Sequence, residues 1–332
     1  MTAPLDVPES TAQTLAPVAG PGAVAGRSPW RIAWTRLKRD KVALGGGVVV
    51  ILLVLVALCA PLIVKLLGHP PLEFHYEKVD PDLQVPTGRF GGMDGEFLFG
   101  AEPVNGRDIF SRIVAGSQIS LLVAFLATLL SVVIGTAFGV TAGYFGGRVD
   151  TVISRFMDIF LAFPLLLFAI AIVGVIPDRA DLGPITLRDN NLRVALLVFI
   201  IGFFNWPYIG RIIRGQTLSL REREFVDAAR SLGATHRWII TRELLPSLIA
   251  PILVYSTLLI PTNILFEAAL SFLGVGVSEP QASWGGMLTR AVEFYQTAPV
   301  FMIVPGMAIF ITVMSFNLFG DGLRDALDPR GR

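Results

Sequence analysis

Two sets of residues in this chain have types and spacing that could do chemistry, and both point to binding, not bond making. The first is the polar run Arg221–Ser247, REREFVDAARSLGATHRWIITRELLPS, where Asp227-Ala228-Ala229 precedes Gly233-Ala234 and Leu244-Leu245-Pro246 follows. Glu222 to Leu232 reads as a helix with acids in its first turn, where the helix dipole favours negative charge. Ala228 and Ala229 leave that helix a face without bulk, and Gly233 allows the sharp reversal that ends it. A second short helix, Thr235 to Leu244, follows, and Pro246 marks the return to an apolar segment. The expected product is a helical hairpin with Phe225, Trp238, Ile239 and Ile240 as apolar anchors. Such an element suits helix-in-groove docking on a partner or resting on lipid headgroups. The second set is Asp158, Asn205, Asn263 and Glu267, polar groups inside long apolar runs, where they are costly and often functional.

Several chemistries are missing. The four lysines are Lys38, Lys41, Lys65 and Lys78, none after a glycine, so no phosphate-cradling P-loop is present. No HExxH, paired-carboxylate or Ser/His/Asp pattern is legible, and the chain does not read as an enzyme. One cysteine, Cys59, excludes an internal disulfide and a cysteine cluster, and reads as a buried core residue. His69, His75 and His236 are too scattered for a metal centre. A net charge of +1 gives no electrostatic case for nucleic acid.

The elements that must position these residues are membrane spans. Of 332 residues, 53% are hydrophobic and only 16% charged, and the mean hydropathy is +0.65. Runs of about 20 apolar residues, the length that crosses a bilayer, fall near Val42–Leu66, Ile119–Phe145, Ile153–Ile176, Val194–Ile213, Leu248–Leu273 and Val300–Phe319. The fold expected is therefore an all-α membrane protein with six transmembrane helices. Gly135, Gly139 and Gly143 recur at intervals of four in the second span, a small-residue face for helix packing within the subunit or at a dimer seam. Basic residues crowd the segment before the first span (Arg27 to Lys41), the loop after the fourth (Arg214 to Arg242) and the C-terminal tail (Arg324, Arg330, Arg332). Positive charge marks the cytoplasmic side, so both termini and the Asp227 loop are expected inside.

The Asp227–Pro246 pattern resembles the "EAA" loop of membrane subunits of bacterial ATP-binding-cassette importers, with Asp227 where the family has Glu. Together with FLFGAEPVNGRDIFSR (Phe97–Arg112), EAALSFLGVGVSEPQASW (Glu267–Trp284) and FNLFGDGLRDALDPR (Phe316–Arg330), it is similar to the peptide/nickel subgroup of permeases. Within that subgroup it most resembles the "C" subunits of dipeptide and oligopeptide importers. Gly100-Ala101-Glu102 stands where the subgroup has Gly-Thr-Asp, read as a tolerated outer-surface change.

The resemblance implies a type I importer permease fold in the bacterial cytoplasmic membrane. It also implies a paralogous permease as heterodimer partner, two ATPase subunits or domains, and an extracytoplasmic substrate-binding protein. No cofactor would be held by this chain, while ATP and Mg would sit on the ATPases. Phe225, Asp227, Ala228, Ala229, Gly233, Ala234, Trp238, Leu245 and Pro246 would dock the ATPase, and Asp158, Asn205, Asn263 and Glu267 would border the substrate path. Peptides lead as substrate, with nickel, glutathione or another small solute as alternatives, and an ion-coupled carrier would use the same intramembrane polar groups. The expected organisation is an unstructured tail over 1–40, a first span over 41–66, an extracytoplasmic loop over 67–114, and a core over 115–320. That core carries the coupling loop 221–246 and ends at Gly320, which would cap its last helix, and a short tail spans 321–332, in which Asp321 would start another.

Overall fold

The computed structural model describes residues 29–173, 179–182, 185–277 and 279–327. Most of the N-terminal tail, the end of the third span at Ile176, and Arg330 and Arg332 lie outside the described residues. Among the described residues five helices are long and apolar enough to cross a membrane, and a bent helix pair makes six if it is counted as one span.

The chain opens with α1 (Pro29–Leu37), within the segment expected to be unstructured. Its Ala33 and Leu37 pack with Ala43 and Ala326. The Asp40 carboxylate then caps α2 (Lys41–Leu58), accepting from the amides of Val42 and Ala43 at 2.9 and 3.0 Å. The first span was read as one run. It breaks at Cys59, and Pro61 opens α3 (Ala60–Leu67). Cys59 is exposed, contrary to the expected core position. In a membrane the outward face is as apolar as the interior, so hydrophobic surroundings no longer imply burial.

Asp108 caps α4 (Ile109–Phe145), its carboxylate accepting from Phe110 N and Ser111 Oγ at 3.0 and 2.6 Å. At about 1.5 Å per residue this helix is roughly 55 Å long, well beyond the ~30 Å hydrocarbon core. It begins ten residues ahead of the predicted span and joins the two ends of the molecule. The next span is α5 (Gly147–Ala162) and α6 (Leu165–Val173), bent by 76°. Phe163, extended at φ −80° and ψ 128°, precedes Pro164, and proline drives the residue before it out of the helical region. A two-stranded antiparallel hairpin, β1 (Arg179–Leu182) and β2 (Ile185–Arg188), pairs Arg179 with Arg188 and leads into α7 (Asp189–Leu220).

The polar segment forms α8 (Glu224–Ser231) and then α9 (His236–Trp238). A π-helical stretch, Ile239–Leu244, joins α9 to α10 (Leu245–Phe272). The second arm of the expected hairpin is thus no separate helix: residues 236–272 run as one 37-residue helix. Pro246 lies inside that continuous run, just past the π-helical turn, where the backbone already departs from the regular i→i−4 ladder.

After α10 come α11 (Trp284–Ala291) and α12 (Pro299–Leu327). α12 passes through Gly320 and Asp321 without the expected cap and restart. Its glycines serve close packing: a Cβ at Gly320 would meet Leu258 Cδ2 at 2.9 Å, and one at Gly322 would collide with Ala43. The core lies where α4, α7 and α10 meet, with Val123, Ala127, Leu197, Ile201 and Leu270 in one buried cluster.

Candidate docking and translocation site

The hairpin is built onto one end of this frame. Val226 and Ala229 of α8 turn inward and pack with Tyr144, Ile239 and Leu244. Tyr144 Oη and His236 Nδ1 are hydrogen-bonded at 2.9 Å, and Arg221 Nη1 donates to Gly143 O at 3.1 Å. Arg214 at the end of α7 grips Asp150 of α5 through two bonds, Nη2 to Oδ2 at 2.6 Å and Nε to Oδ1. Gly233, at φ +81°, makes the left-handed turn that closes α8. Thr235 then caps α9 through Trp238 N. The result is a short helix held rigidly against the ends of α4, α7 and α10.

What faces outward differs in part from the sequence reading. Ala228 is exposed but Ala229 is buried, so the two alanines do not form one open face. Ile239 is buried and Ile240 half-buried, so neither serves as an outward anchor. Phe225, Asp227, Gly233, Trp238 and Pro246 are exposed, and Ala234 and Leu245 are half-buried. Leu232, overlooked in the sequence, is 89% exposed beside Gly233. Asp227 pairs only with Arg230 on its own helix, Nη1 to Oδ1 at 3.1 Å. A leucine so exposed, flanked by Phe225 and Trp238, has the composition of a contact surface.

The intramembrane polar groups separate into three situations. Asn205 Nδ2 donates to Asn263 Oδ1 at 2.8 Å, and Asn263 Nδ2 donates to Thr128 Oγ1 at 2.8 Å, so one polar relay ties α7, α10 and α4. Glu267 is fully buried; Ser271 Oγ donates to its Oε1 at 2.8 Å, while Oε2 has no hydrogen-bond partner. Asp158 is far less enclosed and pairs with Arg211 Nη2 at 2.5 Å across α5 and α7. Among the described residues the partners of Glu267 and of Asp158 are separate from the Asn205–Asn263–Thr128 relay.

The glycine stripe faces α7 of the same chain. A Cβ at Gly135, Gly139 or Gly143 would lie 2.7, 2.6 and 2.8 Å from the carbonyl oxygens of Trp206, Gly210 and Arg214. Three backbone approaches at a four-residue interval let α4 and α7 lie together along most of their length.

At the opposite end, charge is buried where the sequence suggested surface. Glu102 is fully buried, not an outer-surface substitution, and Arg107 Nε donates to its Oε2 at 2.5 Å. Arg107 and Arg112 both reach Glu279, 172 and 167 residues away. Burial works against the charge on Arg107, but hydrogen bonds to Glu279 and Glu102 outweigh it and raise its pKa. Burial likewise pushes the Glu279 carboxyl up, yet the bond from Arg107 and the charges of Arg112 and Arg290 hold it below the ordinary carboxylate range. In the sequence only the close spacing of Glu102, Arg107, Asp108 and Arg112 hinted at this network. Among the described residues no group of three metal-ligating side chains comes together.

Among the described residues, five or six apolar crossings around an α4–α7–α10 core, with one amphipathic hairpin fixed outside them, define a multi-pass membrane protein. Residues 135–332 match the binding-protein-dependent transport system inner membrane component family, and residues 28–86 match the N-terminal transmembrane domain of oligopeptide transport permease C. The chain belongs to that inner membrane component family and is an ABC importer permease. It is 41% identical over 303 residues to the dipeptide transport system permease protein DppC of Alkalihalophilus pseudofirmus, covering 91% of this chain and 90% of that one. It is 37% identical over 310 residues to the oligopeptide transport system permease protein OppC of Haemophilus influenzae, covering 92% and 90%. The glutathione transport system permease protein GsiD of Escherichia coli O157:H7 is 37% identical over 304 residues, covering 92% and 91%. In fold, the chain is similar to a chain of the inward-facing MetNI methionine ABC transporter, with a TM-score of 0.51 at 18% identity over 66% of this chain and 98% of that one.

Proposed function

We propose that this permease carries peptides, di- or oligopeptides foremost, and is driven by a separate ATPase that docks on residues 221–246. The observation that carries the docking is the outward face of the hairpin: Phe225, Asp227, Ala228, Leu232 and Trp238 are exposed, while Val226, Ala229 and Ile239 lock it to α4 and α10. A partner moving this face moves two spans with it. Coupling follows if the ATPase binds the face differently in its open and closed states, since an effector shifts an equilibrium only by its differential affinity. The hairpin end is cytoplasmic by the positive-inside rule, α1 and the end of α12 share that side, and the Glu102–Glu279 end faces outward. A paralogous permease completes the path, and an extracytoplasmic binding protein delivers substrate. The peptide reading is supported by the dipeptide and oligopeptide relatives; the glutathione relative, itself named for a peptide-like solute, keeps that cargo as an alternative.

The test is uptake into proteoliposomes holding the reconstituted complex. ATP-dependent accumulation of a labelled dipeptide is expected, abolished by Ala228→Glu, which adds charge and bulk to the exposed face alone. Uptake driven by an ion gradient without nucleotide would overturn the reading.

A further inference from the structure

The outer end of the chain holds more buried charge than docking or span packing uses. Arg107 and Arg112, with side chains 2% and 1% exposed, converge on one carboxylate: Arg107 Nη1 donates to Glu279 Oε2 at 2.5 Å and Arg112 Nη2 to Glu279 Oε1 at 3.0 Å. Behind them Glu102 is sealed in, with Arg112 Nε 3.5 Å from its Oε2 and Arg290 Nη1 3.8 Å from its Oε1. Three cations thus share two carboxylates. Arg107 Nη2 and Arg112 Nε are buried with no hydrogen-bond partner. Carbonyls from both sides fix Arg112, whose Nη1 donates to Pro280 O at 3.2 Å and Pro71 O at 3.5 Å. The arginines are built in, and donor capacity is left over.

The two carboxylates are not equivalent. Glu102 is fully enclosed, whereas the Glu279 side chain is 45% exposed and rides on the link between α10 and α11. A planar guanidinium pair closed from behind by one carboxylate, with a second at the rim, is a receptor for carboxylates.

We propose that Arg107 and Arg112 form a carboxylate-binding site in which Glu279 is an internal occupant, displaced by the terminal carboxylate of a peptide arriving at the outer mouth. The exchange conserves charge. Both arginines keep an anionic partner, so neither bears the penalty of a buried unpaired charge. Glu279, already half in water, moves fully into it. Arg107 Nη2 offers the newcomer a hydrogen bond that Glu279 does not use. The proposal rests on the peptide reading above for its ligand, but the chemistry it requires is a free carboxylate.

Trp284 is a built-in reporter. It starts α11 five residues after Glu279, and its Nε1 donates to the carbonyl of Ile113, next to Arg112. The experiment is a fluorescence titration of the purified full-length chain in detergent, without binding protein, using alanyl-alanine and alanyl-alanine amide. A Trp284→Phe control assigns the signal. The acid is expected to titrate and the amide not, and Glu279→Gln, which removes the competing charge, should tighten the acid by on the order of tenfold. Arg112→Lys keeps the charge but loses the fork, and should weaken the acid in a chain whose melting is otherwise preserved. Equal responses to acid and amide, or a Glu279→Gln variant that binds the acid no better, would overturn the site. Peptide uptake by the whole complex is scored separately. Uptake without carboxylate binding sinks only this inference, and carboxylate binding without uptake sinks only the peptide-importer reading.

Discussion

Replacing Gly139 with alanine tests the frame on which the hairpin rides. The added Cβ would sit 2.6 Å from Gly210 O, 3.0 Å from Ile213 Cβ and 3.1 Å from Arg214 N. The nearest of these is backbone, so no side-chain rotation relieves the clash, and α4 and α7 must part locally. Overpacking of this kind costs about 1–3 kcal/mol. Alanine recovers at most about 1 kcal/mol of helix propensity, so the net effect is destabilising by about 1 kcal/mol. Gly215, on α7 itself, is the control: a Cβ there meets nothing within 4 Å. Gly215→Ala should therefore keep the whole propensity gain. The assay is thermal unfolding of the purified chain in one detergent, where each kcal/mol moves the midpoint by about 2–4 °C. Gly139→Ala should melt a few degrees below wild type and Gly215→Ala slightly above it. Equal shifts for the two variants, or a stabilised Gly139→Ala, would refute the close α4–α7 seam.

Three further outcomes follow from named contacts. Ala229→Glu places a carboxylate among Tyr144, Val226, Ile239 and Leu244, so limited proteolysis should cut residues 221–246 far faster than in wild type, whereas Ala228→Glu should be cut at the wild-type rate. Asn263→Leu removes two hydrogen bonds but strands only Asn205, because Thr128 Oγ1 still donates to Ala124 O; a loss of about 1–2 kcal/mol is expected, and a double-mutant cycle with Asn205→Leu should show coupling. Glu279, lowered from its ordinary 4.5, favours the folded loop at neutral pH. Because its folded pKa lies below the unfolded one, that stabilisation is complete above about 4.5 and drains away as pH falls through the lowered value. Acid should therefore expose residues 67–114 to an acid-active protease in wild type, with a flatter pH profile in Glu279→Gln.

The approximate spans and the reversal at Gly233 were legible because hydropathy and helix-terminus residues are local signals. Gly233 acts on its own neighbours and reverses the chain as read, whereas the caps at Asp40 and Asp108 and the bend before Pro164 are equally local signals that went unread. Where the outcome depended on what a residue meets across space, the sequence was silent or misleading. Ala228 and Ala229 are adjacent and chemically identical, and only the position of Tyr144 decides which one is hidden. Gly320 suits a helix end by type, but the approach of Leu258 uses it for packing instead. Cys59 sits among apolar residues that look outward, because lipid removes the contrast between surface and core. The Glu102 network joins residues up to 172 positions apart, beyond any periodic signal.

The central claim, that residues 221–246 dock a separate ATPase, is tested most directly by pulling the tagged full-length chain from its native membranes in mild detergent. Mass spectrometry would then identify what comes with wild type, Ala228→Glu and Gly233→Leu. A second permease and one or two P-loop ATPases are expected with wild type, and the permease without the ATPases for both variants. ATPase recovered equally with all three chains would contradict the claim.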